Sequence, residues 1–315
     1  MIVNPTSRPA IPDPIKRAVR QRCGFGCVFC GLPIYQYHHM TPYSEVSEHA
    51  ESNLTLVCPK HHDEITKTLL VEAAVREANE NPRNLQVGVL TRQPLYFSGE
   101  SLLVDIGGNI AMHNNFQGDS APCILMIDDQ PIIGFKKQGI ELLLRIVILD
   151  DQNRPVLVIH DSELLYGVFG AWDIEWVGTT LTIREKKRHV LIRITFKPPD
   201  RIVIDKARIL CNGIEILVGK DHMFLSNDCR IFNGNIAGNR GISYFFGHPA
   251  IHGHRDTDFV DKHAGYKIIN IPRHGVDRVA ARRFLRSQLR ERREKKKDIP
   301  SFSDMTVDEI LHFST

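Results

Sequence analysis

The chain has 315 residues, of which 42% are hydrophobic and 24% charged, with a formal net charge of +3; this places it among ordinary soluble proteins long enough for two or three domains. So small a net charge excludes any argument for nucleic-acid binding from overall electrostatics and leaves only local clusters to carry one. The longest apolar stretch, Leu142 to Leu149, is broken by Arg145 and falls short of the roughly 20 residues of a membrane span, no apolar signal segment opens the chain, and seven cysteines clustered partly beside histidines suit metal ligation in a reducing, cytoplasmic setting better than a disulfide framework.

Pro5, Pro9 and Pro12 predict an extended arm over residues 1 to 12. A short helix follows over Pro14 to Arg22, with Ile15 and Val19 as its apolar side. Lys16, Arg17 and Arg20 form the opposite, basic side, which is either a solvated face or a phosphate-contacting edge. Cys27-Val-Phe-Cys30-Gly31 then reads as a knuckle, a tight turn that presents two thiolates to one ion. Cys58-Pro-Lys-His61 supplies the matching C-x-x-H, so that Cys27, Cys30, Cys58 and His61 make a Cys3His set for a structural Zn2+. Cys23 stands at the wrong spacing and reads as a small buried residue. A segment this short cannot bury enough apolar surface to fold alone, so the metal supplies folding free energy. Between the knuckles, Pro33 to Met40 alternates with period two and reads as a strand ending at His38-His39; Leu54 to Val57 is its partner, and Pro59 to about Leu70 is a helix with Ile65, Leu69 and Val71 following as its apolar positions.

The order C-x-x-C, then a strand ending in His38-His39-Met40 with Pro42, then Asn53-Leu54, Leu56 to Cys58 and His61-His62 resembles the HNH family of ββα-metal nucleases, over roughly residues 23 to 70. The resemblance implies that His39 is the general base that deprotonates a water, a task suited to a side chain whose ordinary pKa lies near neutrality. It implies that Asn53 bonds the neighbouring loop and holds the His39 ring. It further implies that His62, with His38 where Asp is frequent, ligates a catalytic divalent ion such as Mg2+ or Mn2+, distinct from the zinc and able to stabilise charge on the phosphoryl group and the leaving oxygen. Where many relatives carry a further His or Asn, this chain has Thr66, and the adjacent Lys67 could bring positive charge to the scissile phosphate. A His rather than an Asp at position 38 leans toward softer ions.

Val71 to Asn84 reads as more helix, ended at Asn81-Pro82 and serving as a linker. From about Gln86 short apolar runs recur between turn residues, which predicts an all-β sandwich or barrel; over residues 202 to 240 stacked solenoid rungs are an alternative. Trp172 and Trp176 read as one face of a strand, packing into the core or, less simply, offering a stacking platform. His248, His252, His254, Asp256, Asp258 and His263 form either a solvated loop or a second metal site. Arg273 to Lys297 carries eleven lysines and arginines, among them Arg282 and Arg286, with Val279, Phe284, Leu285 and Leu289, a basic amphipathic helix suited to phosphate contact or to docking on the β-domain. An acidic tail follows.

The expected architecture is therefore α+β: an HNH ββα-metal domain with structural zinc over 1–84, an all-β domain over 85–245, and a loop, basic helix and acidic tail over 246–315. The expected activity is metal-dependent endonucleolytic hydrolysis of DNA, in a setting such as restriction or antiviral defence. The alternatives are a zinc-dependent nucleic-acid or protein-binding module without catalysis, and a nuclease gated by a ligand or protein that the β-domain senses.

Overall fold

The structure, a computed structural model, describes residues 9–114, 116, 120–128, 130–166, 170–226, 229–237, 241–247, 262–269 and 271–273. The basic helix with Arg282 and Arg286, the acidic tail, and His248, His252, His254, Asp256 and Asp258 lie outside the described residues; His263 is described and exposed. The fold is α+β, a small helix-bearing N-terminal module followed by two β-sheets.

Helix α1 spans Asp13–Arg22, with Pro14 in its first turn and Val19 buried. Strand β1, Gln36–His39, pairs antiparallel with β2, Leu54–Val57, in the register Gln36↔Val57 to His39↔Leu54. The expected strand from Pro33 shortens to four residues for two reasons. The Leu32 carbonyl is spent closing the first knuckle by accepting Cys27 N–H at 2.9 Å, and β2 itself is cut at Val57 by the second knuckle. The loop between the strands holds α2, Tyr43–Val46, and a 3-10 turn at Glu51–Asn53. Helix α3, Pro59–Thr66, stops short of the expected Leu70 because the chain turns through Thr68 at φ 58°. Leu69 and Val71, read as helix-face residues, are consequently 72% and 62% exposed. Helix α4, Glu72–Glu80, ends at Asn81 as expected, but Pro82 caps a further helix, α5, Arg83–Val87. The segment expected to be a linker thus returns to the knuckle, as described below.

The β-domain begins at Leu95. An eight-stranded sheet runs in the order Glu163–Tyr166, Pro155–His160, Glu141–Leu149, Gln130–Gln138, Cys123–Ile127, Ile242–Phe246, Ala264–Ile268, with Leu95–Tyr96 added beside Glu141–Leu149. The ten-stranded sheet contains the meander Asp173–Val177, Thr180–Lys186, His189–Lys197, Arg201–Cys211, Ile214–Val218, Met223–Leu225, Arg230–Ile231. Leu102–Ile106 joins it parallel to Arg201–Cys211, pairs antiparallel with Asn109–His113, and that strand pairs in parallel with Asn235–Ala237. Stacked rungs do not form over 201–231: the strands reverse antiparallel, the first reversal at Asn212-Gly213 with φ of 51° and 75°, the backbone of a tight two-residue hairpin. Apolar residues of both sheets share one core.

Contacts from α1 and the turn after it tie the N-terminal module to the β-domain. Phe25, held at φ 59° in the turn before the knuckle, is buried among the β-domain's apolar residues. Arg20, expected on a basic face, is buried instead: Nε and Nη2 each donate to a carboxylate oxygen of buried Asp173 at 2.8 Å, and Nη1 donates to Tyr37 Oη at 2.7 Å. Glu175 stands 3.3 Å from Nη1. Trp172, expected within a strand, lies just before the observed one, Asp173–Val177, and carries the Arg17 guanidinium over its ring at 4.3 Å, while Trp176 packs partly against the core. Arg20→Met would leave buried Asp173 to Arg184, whose Nη1 lies 3.3 Å from Oδ2, and is expected to cost about 2 kcal/mol by denaturant titration, with R20M/D173N costing less than the sum of the single variants.

His113 is buried and its Nε2 lies 2.8 Å from Ser243 Oγ. Burial lowers its pKa to about 4. The depressed native pKa means that the unfolded chain protonates first, so stability is complete above about pH 6.5 and falls as pH drops toward 4. Wild type should lose about 2 kcal/mol more than His113→Gln between pH 7 and pH 5 in denaturation experiments.

Candidate metal centre and the histidines beside it

The first knuckle is closed by its own backbone, with Gly31 N–H donating to the Cys27 carbonyl at 2.7 Å. Cys58 occupies the N-cap of α3 and His61 its first turn. The sulfurs of Cys27 and Cys58 lie 3.3 and 3.1 Å from His61 Nδ1, and those of Cys30 and Cys58 are 3.7 Å apart. All four donor atoms fall within 4.8 Å of one another. A tetrahedral zinc with ordinary bond lengths needs about 3.8 Å between sulfurs and about 3.5 Å from sulfur to nitrogen, so the donor set and its spacing fit that ion. Hydrogen bonding between the two sulfurs of the first knuckle lowers the pKa of Cys27 and raises that of Cys30, so the pair holds one proton between them that a bound ion would displace. Glu64 Oε2 stands 3.9 Å from His61 Nε2, on the side from which a carboxylate orients a ligating imidazole. Among the described residues this is the one group of three or more His, Cys, Asp or Glu side chains close enough to share an ion. Cys23 stays outside it, buried beside Thr55.

Residues 82–91 brace the knuckle, a role that sequence reasoning missed. Fully buried Asn84 donates from Nδ2 to the carbonyls of Gly24 and Gly31 at 2.9 and 3.0 Å. Thr91 Oγ1 donates to the Cys30 carbonyl at 2.9 Å, and Arg83 N–H to that of Val28 at 3.1 Å. Gly31, at φ 77°, leaves the space for this: a Cβ there would collide with Asn84 Oδ1 and Thr91 Oγ1. Asn84 sits in a polar stretch whose only sequence signal is the preceding Pro82, so its partners were not legible.

The end of β1 is flanked by two imidazole pairs. His38 meets His62 of α3 edge-on, with ring centroids 5.4 Å apart. Burial first, and the nearby His62 second, lower the His38 pKa, so its ring nitrogens keep a lone pair for a metal at neutral pH. Buried His39 pairs on the α2 side, with Nε2 3.1 Å from His49 Nδ1, and Tyr43 packs against both rings at 5.5 and 4.8 Å. His49 Nε2 lies 2.7 Å from the Pro9 carbonyl, in the segment before α1. Asn53 clasps the turn that follows His39: its Oδ1 accepts Thr41 N–H at 2.7 Å, its Nδ2 donates to the Thr41 carbonyl at 2.9 Å, and its carbonyl accepts Met40 N–H at 2.9 Å. Thr66 Oγ1 bonds back to the His62 carbonyl, and Lys67 Nζ contacts Asp63 Oδ2 at 2.7 Å in an exposed i,i+4 pair that contributes little stability. His49 and Tyr43 were missed in the sequence; the one available signal was that His49 is the remaining histidine between the two knuckles.

The purified chain should carry one zinc per molecule by elemental analysis. Cys58→Ser should remove it and leave residues 27–62 without hydrogen-exchange protection, because for so small a core metal binding and folding are one equilibrium. Among the described residues no helix is long and apolar enough to cross a membrane. No family model matches the chain, and neither a curated protein nor a solved structure matches it.

Proposed function

We propose that the N-terminal module is a metal-dependent endonuclease of the HNH type acting on DNA in the cytoplasm. The observation that carries the reading is the pairing of His38 with His62 at the end of a strand whose next residue, His39, is followed by a turn clasped at both ends by Asn53. A knuckle kept only for folding does not need a histidine doublet after its strand and another after its second ligand pair.

In this reading His39 accepts the proton of the attacking water, and the Asn53–Thr41 clasp holds its backbone in place so that the ring does not have to be ordered during the reaction. His38 and His62 hold a divalent ion, Mg2+, Mn2+ or a softer metal, which when bound offsets charge on the phosphoryl oxygens and the leaving 3′ oxygen. Lys67, exposed at the end of α3, and the arginines at 282 and 286 contribute phosphate contacts, and the product end is a 5′-phosphate. Restriction or antiviral defence is the setting such an activity suits.

A second reading, that the β-domain gates cleavage in response to a ligand or protein, has one observation behind it. Arg20 joins Asp173 of the β-domain to Tyr37, the residue immediately before His38. Supercoiled plasmid incubated with the protein in Mg2+, Mn2+ or Ni2+ tests both readings. Nicking is expected, and His39→Ala should slow it by about 10²- to 10⁴-fold. Wild type inert with every metal, or His39→Ala as fast as wild type, rejects the nuclease in favour of a binding module. Nicking that needs an added nucleotide or protein favours the gated form.

A further inference from the structure

Resting on the reading of His39 as general base, we infer that His49 is a positioning residue that selects the tautomer of His39 and leaves Nδ1 as its basic nitrogen. The Pro9 carbonyl oxygen can only accept, so the 2.7 Å contact requires the hydrogen to sit on His49 Nε2. In a neutral imidazole the second nitrogen then carries a lone pair, and His49 Nδ1 is therefore an acceptor. The atom facing it at 3.1 Å is His39 Nε2, which must bring the hydrogen. A neutral His39 with its hydrogen on Nε2 has its lone pair on Nδ1. The hydrogen-bond direction is thus set from one end of the chain of contacts, Pro9 to His49 to His39, by a group that has no alternative role.

The rest of the pocket holds the two rings in that relation. Tyr43 packs on His49 with ring planes 30° apart at 4.8 Å and meets His39 nearly edge-on, at 83°. His39 is 8% exposed, so a rotation that exchanged its two nitrogens would have to displace packed neighbours. The arrangement serves the same end as an acceptor behind a catalytic histidine in hydrolytic triads, where the third group holds ring and tautomer rather than taking part in the bond changes.

Two substitutions separate this role from packing. His49→Asn places an amide oxygen where Nδ1 was and keeps an acceptor for His39, whereas His49→Gln places its amide near the Nε2 position and keeps a donor for Pro9 only. With full-length protein carrying one zinc, plasmid cleavage by His49→Ala and His49→Gln is expected to show kcat lowered on the order of 10²-fold with KM unchanged, and His49→Asn to recover most of it. Nitrogen-15 NMR of histidine-labelled protein should show the Nε2–H tautomer of His39 in wild type and His49→Asn. Equal kcat losses in the Asn and Gln variants, no loss in His49→Ala, or an Nδ1–H tautomer of His39 in wild type each overturn the role of His49 while a cleaving wild type leaves the nuclease reading standing. A wild type inert with every metal overturns the nuclease reading itself, and the inference with it.

Discussion

Four donor atoms within 4.8 Å of one another are the constraint from which the N-terminal module is built. The apolar cluster around them is small, with Val19, Val28, Leu54, Leu56 and Val57 as its main aliphatic members, and burial on that scale offsets little of the entropy of ordering the chain. A Cys3His chelate changes the balance because its binding free energy counts directly toward folding. It also sets lengths. Both strands are limited to four residues because a knuckle closes at one end of each, and this shortness puts the histidine doublet beside the first turns of α3.

The module is not an independent bead on the β-domain. Phe25 is packed in the apolar core of the sheets, and Arg20 is paired with Asp173 beneath α1. The apolar contact is tolerant of small shifts, as apolar contacts are. The guanidinium–carboxylate pair is not: its two parallel bonds form at one orientation, and any other arrangement forfeits both while the Arg20 charge stays buried. Net stabilisation from such a pair is small, and its main effect is to penalise alternative dockings of the module. Tyr37, sharing the same guanidinium, extends this restriction to β1 and so to the strand that carries both candidate imidazole pairs.

What could be read in the sequence was local. The C-x-x-C and C-x-x-H spacings are constrained by one ion's coordination sphere, so Cys27, Cys30, Cys58 and His61 were legible without any knowledge of the fold, and the structure gathers them. Apolar runs such as Cys123–Ile127 and Leu102–Ile106 were legible as strands because they end at turn residues that permit few other conformations, whereas strands such as Glu163–Tyr166 and Ala264–Ile268 were not read. Leu69 and Val71 misled because helical spacing continued past the point where Thr68 turns the backbone. Arg20, Asn84 and His49 were illegible for a different reason. Each is a polar residue whose environment is made by segments far away in sequence or by an irregular loop, and no periodicity encodes either.

The separation of Arg20 from Asp173 by 153 residues has a consequence for the chain as it is made. A ribosome adds roughly 5–20 residues per second, so α1 exists for about 8–30 s, and the completed knuckles for about 6–22 s, before the carboxylate that completes Arg20's surroundings has been synthesised. During that interval the chelate can form but the underside of α1 has no counter-charge, and Phe25 has no core to enter. The module therefore emerges first and reaches its final form last, and any activity it has depends on translation having passed through the β-domain.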